Sequence, residues 1–210
     1  MVYYLGYKEP GSTYPSVEFP EFDFTDVRLD SNSKRPNPHL ITGVSAFQAG
    51  ESIDPGHVPT ALRWASSRLP YDYITLHGSS IVSPRMKEII ERFEPRMHQF
   101  FPLKVVDKAG DQIAERWLWV VCVNIDSVDR EHTTYKFVKD AIWMSNYRDG
   151  DKRVRIPDAK LILSSTKTVG HHFWRDTRIM GGAIYASDEA GKALLDAGLT
   201  GLAGSRQETV

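Results

Sequence analysis

Apolar positions in the stretch 81–106 change their spacing halfway along. Met86, Ile89, Ile90 and Phe93 recur at intervals of three and four, one face of a helix. Ser83 and Pro84 predict where that helix starts. The serine hydroxyl can accept an orphan N–H, and proline suits the first helical position. Pro95 ends it. Phe100, Phe101, Pro102, Leu103, Val105 and Val106 follow as an apolar run, predicted to be extended. The helix is expected to pack on the strand that carries Phe101 and Leu103.

The same patterning gives the other elements. Residues 1–8 read as a short strand, and Tyr71–His77 alternates with Ile74 and Leu76 on one face. The run from Trp117 to Ile125 is rich in β-branched and aromatic residues, as a buried strand is. A turn at Asp107–Asp111, with Gly110, joins it to Leu103–Val106 as an antiparallel hairpin. Thr60–Leu69 is predicted as a short helix, with Leu62, Ala65 and Leu69 inward and Trp64 beside them. Asp126–Thr134 reads as a polar loop and Tyr135–Met144 as one strand. Asp149-Gly150-Asp151 is a turn. Leu161–Leu163 and His172–Ile179 are further strands, and Gly181-Gly182 leads into a strand over Ala183–Ala186.

The serine device then recurs. Ser187 precedes Asp188 and Glu189, and Ala190, Ala193, Leu194 and Ala197 repeat the earlier offsets up to Gly198. An old duplication and two ordinary capped helices both fit, and the second is the expectation. Residues 204–210 are expected to fray.

Between Glu9 and Leu40 the composition shifts. Pro10, Pro15, Pro20, Pro36 and Pro38 exclude long helices and central strands. Val17, Phe19, Phe22 and Phe24 are too apolar for a free linker, so an extended segment lying on the protein body is expected, with a turn at Asp30–Ser33. The fold class is α+β: an antiparallel sheet with two or three short helices behind an extended proline-rich N-terminal region. The expected divisions are residues 1–70, 71–203 and a flexible tail, 204–210.

Charge narrows the partners. The formal net charge is -1, without the basic surplus that nucleic acid or an anionic membrane surface requires. No apolar run approaches the roughly 20 residues of a membrane helix, and the N-terminus lacks a secretion pattern. A cytoplasmic location is expected. The lone Cys122 lies in an apolar run and reads as a buried small hydrophobe.

Candidate chemistry is sparse. Adjacent His171 and His172 would point to opposite faces of a strand, and no Cys pair or HExxH accompanies them. No metal or cofactor is expected. His132 beside Asp129 and Glu131 reads as part of a solvated loop, and His98 as a hydrogen-bonded histidine at a helix–strand junction. No GxSxG, GxGxxG or GxxxxGK[ST] occurs. A spatially assembled triad is not visible in sequence, so a hydrolase remains an alternative, beside a generic binding adaptor. Trp174-Arg175-Asp176 has two readings. One is an interface anchor of aromatic, guanidinium and carboxylate. The other is a core tryptophan flanked by a surface ion pair. Glu18, Glu21, Asp23 and Asp26 form a second candidate surface, able to steer a basic partner.

The order of features also carries a resemblance. It consists of Ile81-Val82-Ser83 before a helix and His98-Gln99-Phe100-Phe101-Pro102 after it, then a hairpin ending in Ile125-Asp126. Phe173-Trp174-Arg175 and Ala186-Ser187-Asp188 follow, ahead of a helix closing with Gly198-Leu199-Thr200-Gly201. Over residues 70–203 this resembles the immunity-protein family of bacterial polymorphic toxin systems, first catalogued as a bacterial domain of unknown function. The resemblance implies a non-enzymatic cytoplasmic protein of interbacterial competition. Such a protein binds a cognate toxin, encoded by the adjacent gene, and occludes it. The partner-binding candidates are then Trp174, Arg175 and Asp176, and the acidic set Glu18, Glu21, Asp23 and Asp26.

Overall fold

A computed structural model describes residues 1–8, 16–20, 22–179 and 182–210. Pro10, Pro15, Glu21 and Gly181 therefore lie outside the described residues. In chain order the elements begin with β1 (Val2–Tyr7), β2 (Ser16–Glu18), the single turn α1 (Val44–Phe47), β3 (Ala61–Ala65), β4 (Tyr73–Leu76) and β5 (Ser79–Val82). Next come α2 (Pro84–Phe93), β6 (Gln99–Val106), β7 (Gln112–Val120), β8 (Lys136–Val138), β9 (Ile142–Met144), β10 (Asn146–Asp149) and β11 (Lys152–Arg155). The chain ends with the single turn α3 (Ser165–Thr168), β12 (Phe173–Arg175), β13 (Ile184–Ser187), α4 (Asp188–Asp196) and β14 (Leu202–Gln207).

Two sheets make the body. One has six strands in the order β2-β3-β6-β7-β5-β4, antiparallel except for the parallel pair β3 and β6. The other has four antiparallel strands in the order β12-β13-β1-β14. The expected α+β class with an antiparallel sheet is what the chain adopts. The boundary placed at residue 70 falls between β3 and β4, two strands of one sheet.

The hairpin of β6 and β7 pairs Gln99 with Val120 through to Val106 with Gln112. Asp107 ties its turn, with Oδ1 accepting from the N–H groups of Ala109 and Asp111. Both long helices start as their serines predict: Ser83 Oγ accepts from Met86 N, and Ser187 Oγ from Ala190 N, each at 3.2 Å. Helix α4 lies so close to β1 that a Cβ on Gly191 would meet Tyr3 Cδ2 at 2.4 Å.

Helix α2 packs on the face opposite to the one expected. Met86, Ile89 and Ile90 join Phe100, Trp117 and Trp119 in a core between the two sheets, which also takes Ala190 and Leu194 from α4. Phe101, Leu103 and Val105 point to the other side of the six-stranded sheet, into a core with Leu62, Trp64 and Phe47. Successive strand residues alternate faces, so α2, which lies across β7 and β5, shares a face with Phe100 and not with Phe101 and Leu103.

Several expectations are corrected. Ala61–Ala65 is strand β3, not part of a helix: Leu62 and Trp64 are buried, whereas Leu69 is 78% exposed. Pairing with β2 on one edge and with β6 on the other holds it extended, whereas an isolated helix of about ten residues is marginal. Tyr135–Met144 is not one strand but the hairpin of β8 and β9, turning at Lys139 and Asp140, both with positive φ. The strand expected up to Ile125 ends at Val120, and that expected over His172–Ile179 narrows to Phe173–Arg175. Leu161–Leu163 contributes only isolated bridges, Leu163 meeting Val128 and Thr209. The tail does not fray: β14 runs along β1, and Val210 N donates to Leu163 O.

The N-terminal segment lies on the body where it is described. Val27 and Leu29 are buried with Phe19 in the Leu103 core, and Phe22 and Phe24 pack against it. The turn forms at Asp30, whose Oδ1 accepts from Asn32 N. Arg35 pins the segment, donating to Glu51 Oε1 and to the Ala49 carbonyl. Gln99 grips Ile53 as a strand neighbour would, its amide accepting from Ile53 N at 2.8 Å and donating to Ile53 O at 3.0 Å.

Candidate functional site

The first candidate surface is not on the surface. Trp174, Arg175 and Asp176 are 0%, 3% and 0% exposed, so none of the three side chains stands out from the surface. Strand β12 is covered on both edges: β13 pairs with it on one, and Val123 and Ile125 exchange backbone hydrogen bonds with Arg175 on the other. Trp174 stacks on Tyr185 at 5.9 Å within a core of Val2, Val128 and Leu163. Nor do Arg175 and Asp176 pair with each other. Asp176 Oδ2 accepts from Ser127 N and Oγ at 2.7 and 2.8 Å, and its Oδ1 from Arg178 N at 2.9 Å. Burial nevertheless raises the Asp176 carboxyl above its ordinary range. Arg175 points the other way, into a cleft where the two sheets meet.

The second candidate surface is exposed. Glu18, on β2, reaches Arg63 of β3 at 2.6 Å. Asp23 caps a short 3-10 turn, with Oδ1 accepting from Thr25 N and Oγ1 at 2.8 Å, and these bonds lower its pKa. Asp26 is exposed in the same turn. Glu21 lies outside the described residues. Two of these carboxylates thus already hold local structure, which leaves their charge outward but fixes their positions.

A site that the sequence did not single out sits where α2 ends. Glu94 is buried and accepts at both oxygens: Oε1 from His172 N at 2.6 Å, Oε2 from His98 Nε2 at 2.7 Å and from Phe173 N at 3.1 Å. Burial works to raise its carboxyl, but the bonds from His98, His172 and Phe173 outweigh it and hold the pKa below the ordinary value. His98 is the hydrogen-bonded junction histidine that was expected. Its Nδ1 accepts from Cys122 N at 3.2 Å, so the ring proton belongs on Nε2, facing Glu94. The group joins α2, β6, β7 and β12. With every member engaged, it is a structural clasp rather than a catalytic dyad. The one sequence signal was the spacing of four between Glu94 and His98.

Other chemistry is muted. Among the described residues no three His, Cys, Asp or Glu side chains gather as a metal site would need. His172 Nδ1 lies 2.9 Å from Ser187 Oγ, its ring against Phe93. Burial pushes the Cys122 thiol up to about 11, far from the pKa of a reactive thiolate. No described helix is long and apolar enough to cross a membrane.

Comparison with known proteins adds one finding. A family model described as an immunity protein family (Imm11) matches residues 55–207, from just before β3 to the end of β14. No curated protein matches the chain.

Proposed function

Because the chain belongs to the Imm11 immunity protein family, we propose that it binds one cognate bacterial toxin and neutralises it by steric occlusion. The family match carries this reading. It takes in both long helices and every strand of the two sheets except β1 and β2, so the assignment concerns the body of the protein and not an appended motif. The toxin is encoded by the adjacent gene, and the protein waits for it in the cytoplasm of the producing cell. Protection comes from binding, without turnover. The muted chemistry supports this: the buried carboxylates Glu94 and Asp176 are spent on backbone N–H groups.

An interface able to block a toxin durably buries on the order of 1,200–2,000 Å². The exposed carboxylates Glu18, Asp23 and Asp26 favour approach by a basic toxin, since complementary charge mainly raises the association rate. The test is co-expression with the neighbouring toxin gene, followed by titration of the purified pair. Protection that saturates at equimolar protein, with a complex on a sizing column, is the expected result. Protection at sub-stoichiometric amounts would mean a catalytic antidote. No protection and no complex would refute the immunity reading.

A further inference from the structure

Arg175 is a buried cation with no carboxylate beside it among the described residues. Its Nη1 donates to the Gly182 carbonyl, and its Nε has no hydrogen-bond partner. Burial depresses its pKa to about 10. A charge held in this way costs stability unless something pairs with it. The side chain lines a cleft of about 400 Å³ between the four-stranded sheet and the β4–β5 hairpin. The walls are chemically mixed. Thr75 and Ser80 bring hydroxyls, and Gln48, just after α1, brings an amide. Tyr73 Oη lies 3.4 Å from Ser80 Oγ. The backbone closes tightly on Gln48, since a Cβ on Gly182 would sit 2.8 Å from its Cδ. Tyr4 also lines the cleft and Val44 lies against Gly78 beside it, and both are 41% exposed.

We infer that this cleft binds a single carboxylate, seated on the guanidinium of Arg175 and flanked by Ser80, Thr75 and Gln48. Guanidinium presents parallel N–H groups that match a planar two-oxygen anion. Among the described residues no second cation lines the cleft, so a dianion such as phosphate would enter half-neutralised. The carboxylate has two sources: a free short-chain acid, or an acidic side chain or C-terminus of the docked toxin. The second source rests on the immunity reading; the first does not.

The experiment follows the Arg175 Nε–H resonance by NMR, identified by its loss in Arg175→Met, together with the thermal midpoint. Acetate, propionate and N-acetylglycine are added at constant ionic strength, with sulfate and phosphate as comparison anions. The carboxylates should move the resonance and raise the midpoint, and sulfate and phosphate should do neither. Gln48→Glu is nearly isosteric at a half-exposed position and places a rival carboxylate on the wall. It should fold and bind the acids at least about tenfold more weakly. Toxin that moves the same resonance, and loses protection with folded Gln48→Glu, identifies the toxin as the source. Toxin that binds without touching it, while propionate does, identifies a free acid. A resonance indifferent to acids and toxin alike, or moved equally by sulfate, overturns the assignment. A resonance moved by propionate in a protein that binds no toxin overturns the immunity reading and leaves the site standing.

Discussion

Glu94 accepts hydrogen bonds at both carboxylate oxygens, from the backbone of His172 and Phe173 and from the His98 ring. Glutamine has only one acceptor oxygen. His98 cannot compensate by exchanging its proton, because Cys122 N holds Nδ1 as an acceptor. Glu94→Gln should therefore leave a buried N–H facing an NH2 group, at a cost of about 1–3 kcal/mol in urea unfolding. The charge also sets the response to acid. Its pKa in the folded protein lies below the ordinary 4.5, so its contribution is complete above that value and is lost as pH falls through the folded value. Asp176 works the other way. Its raised pKa favours the protonated form on folding, so its contribution is complete below the ordinary 3.8 and fades as pH rises. Stability of the wild type should fall on acidification below about pH 4.5, and Glu94→Gln should flatten that fall. An unaltered acid limb in the variant would deny Glu94 this role. A core Trp174 was one of the two readings, but the burial of Arg175 and Asp176 was not legible, because alternation predicts only which residues share a face. It does not say that a strand is covered on both faces and both edges.

Among the elements, legibility followed the strength of local signals. Helices α2 and α4 declare themselves through a capping serine and a periodic face, and both form where predicted. The β6–β7 hairpin does so through its Asp–Gly turn. Strand β3 does not: Leu62, Ala65 and Leu69 fit a helical spacing as well as Leu62 and Trp64 fit a strand. Its decisive partner, β6, lies about forty residues further on. Leu62→Ala should cost about 2–5 kcal/mol, as for other fully buried leucines. Leu69→Ala should stay within about 0.5 kcal/mol, because that side chain is exposed. Equal costs in thermal melts would restore the helix. At Gly191 propensity and packing conflict. Alanine favours a helix by about 1 kcal/mol over glycine, yet its methyl would overlap the Tyr3 ring. Overpacking of this kind costs about 1–3 kcal/mol, so Gly191→Ala should lower the melting temperature despite the better helix former.

At the scale of the whole molecule, the α+β class could be read from the order of short strands and capped helices. The partition into two sheets could not, because nothing local tells β1 that it will lie between β13 and β14. For the same reason the polar residues 204–210 looked dispensable: their hydrogen bonds go to β1 and to Leu163 and Ser165, all distant in sequence. Removing residues 202–210 should expose the β1 edge and release Ser165 N from the Val210 carbonyl. The shortened chain should lose cooperative unfolding or precipitate through the bared edge. A soluble monomer with an unchanged denaturant midpoint would show that β14 is an accessory.

The pairing of Val2 with Gln207 also places a demand on time. On the ribosome β1 emerges about two hundred residues ahead of its partners β13 and β14. At about 5–20 residues per second, translation alone imposes a wait of roughly ten seconds or more. Contacts so distant along the chain also make the search itself slow. The first strand must be kept from other edges through that interval, so the protein should refold slowly from denaturant and chaperones should raise its yield. On the function proposed above, in which the protein meets a toxin made in the same cell, the order in which the two genes are translated becomes a matter of survival.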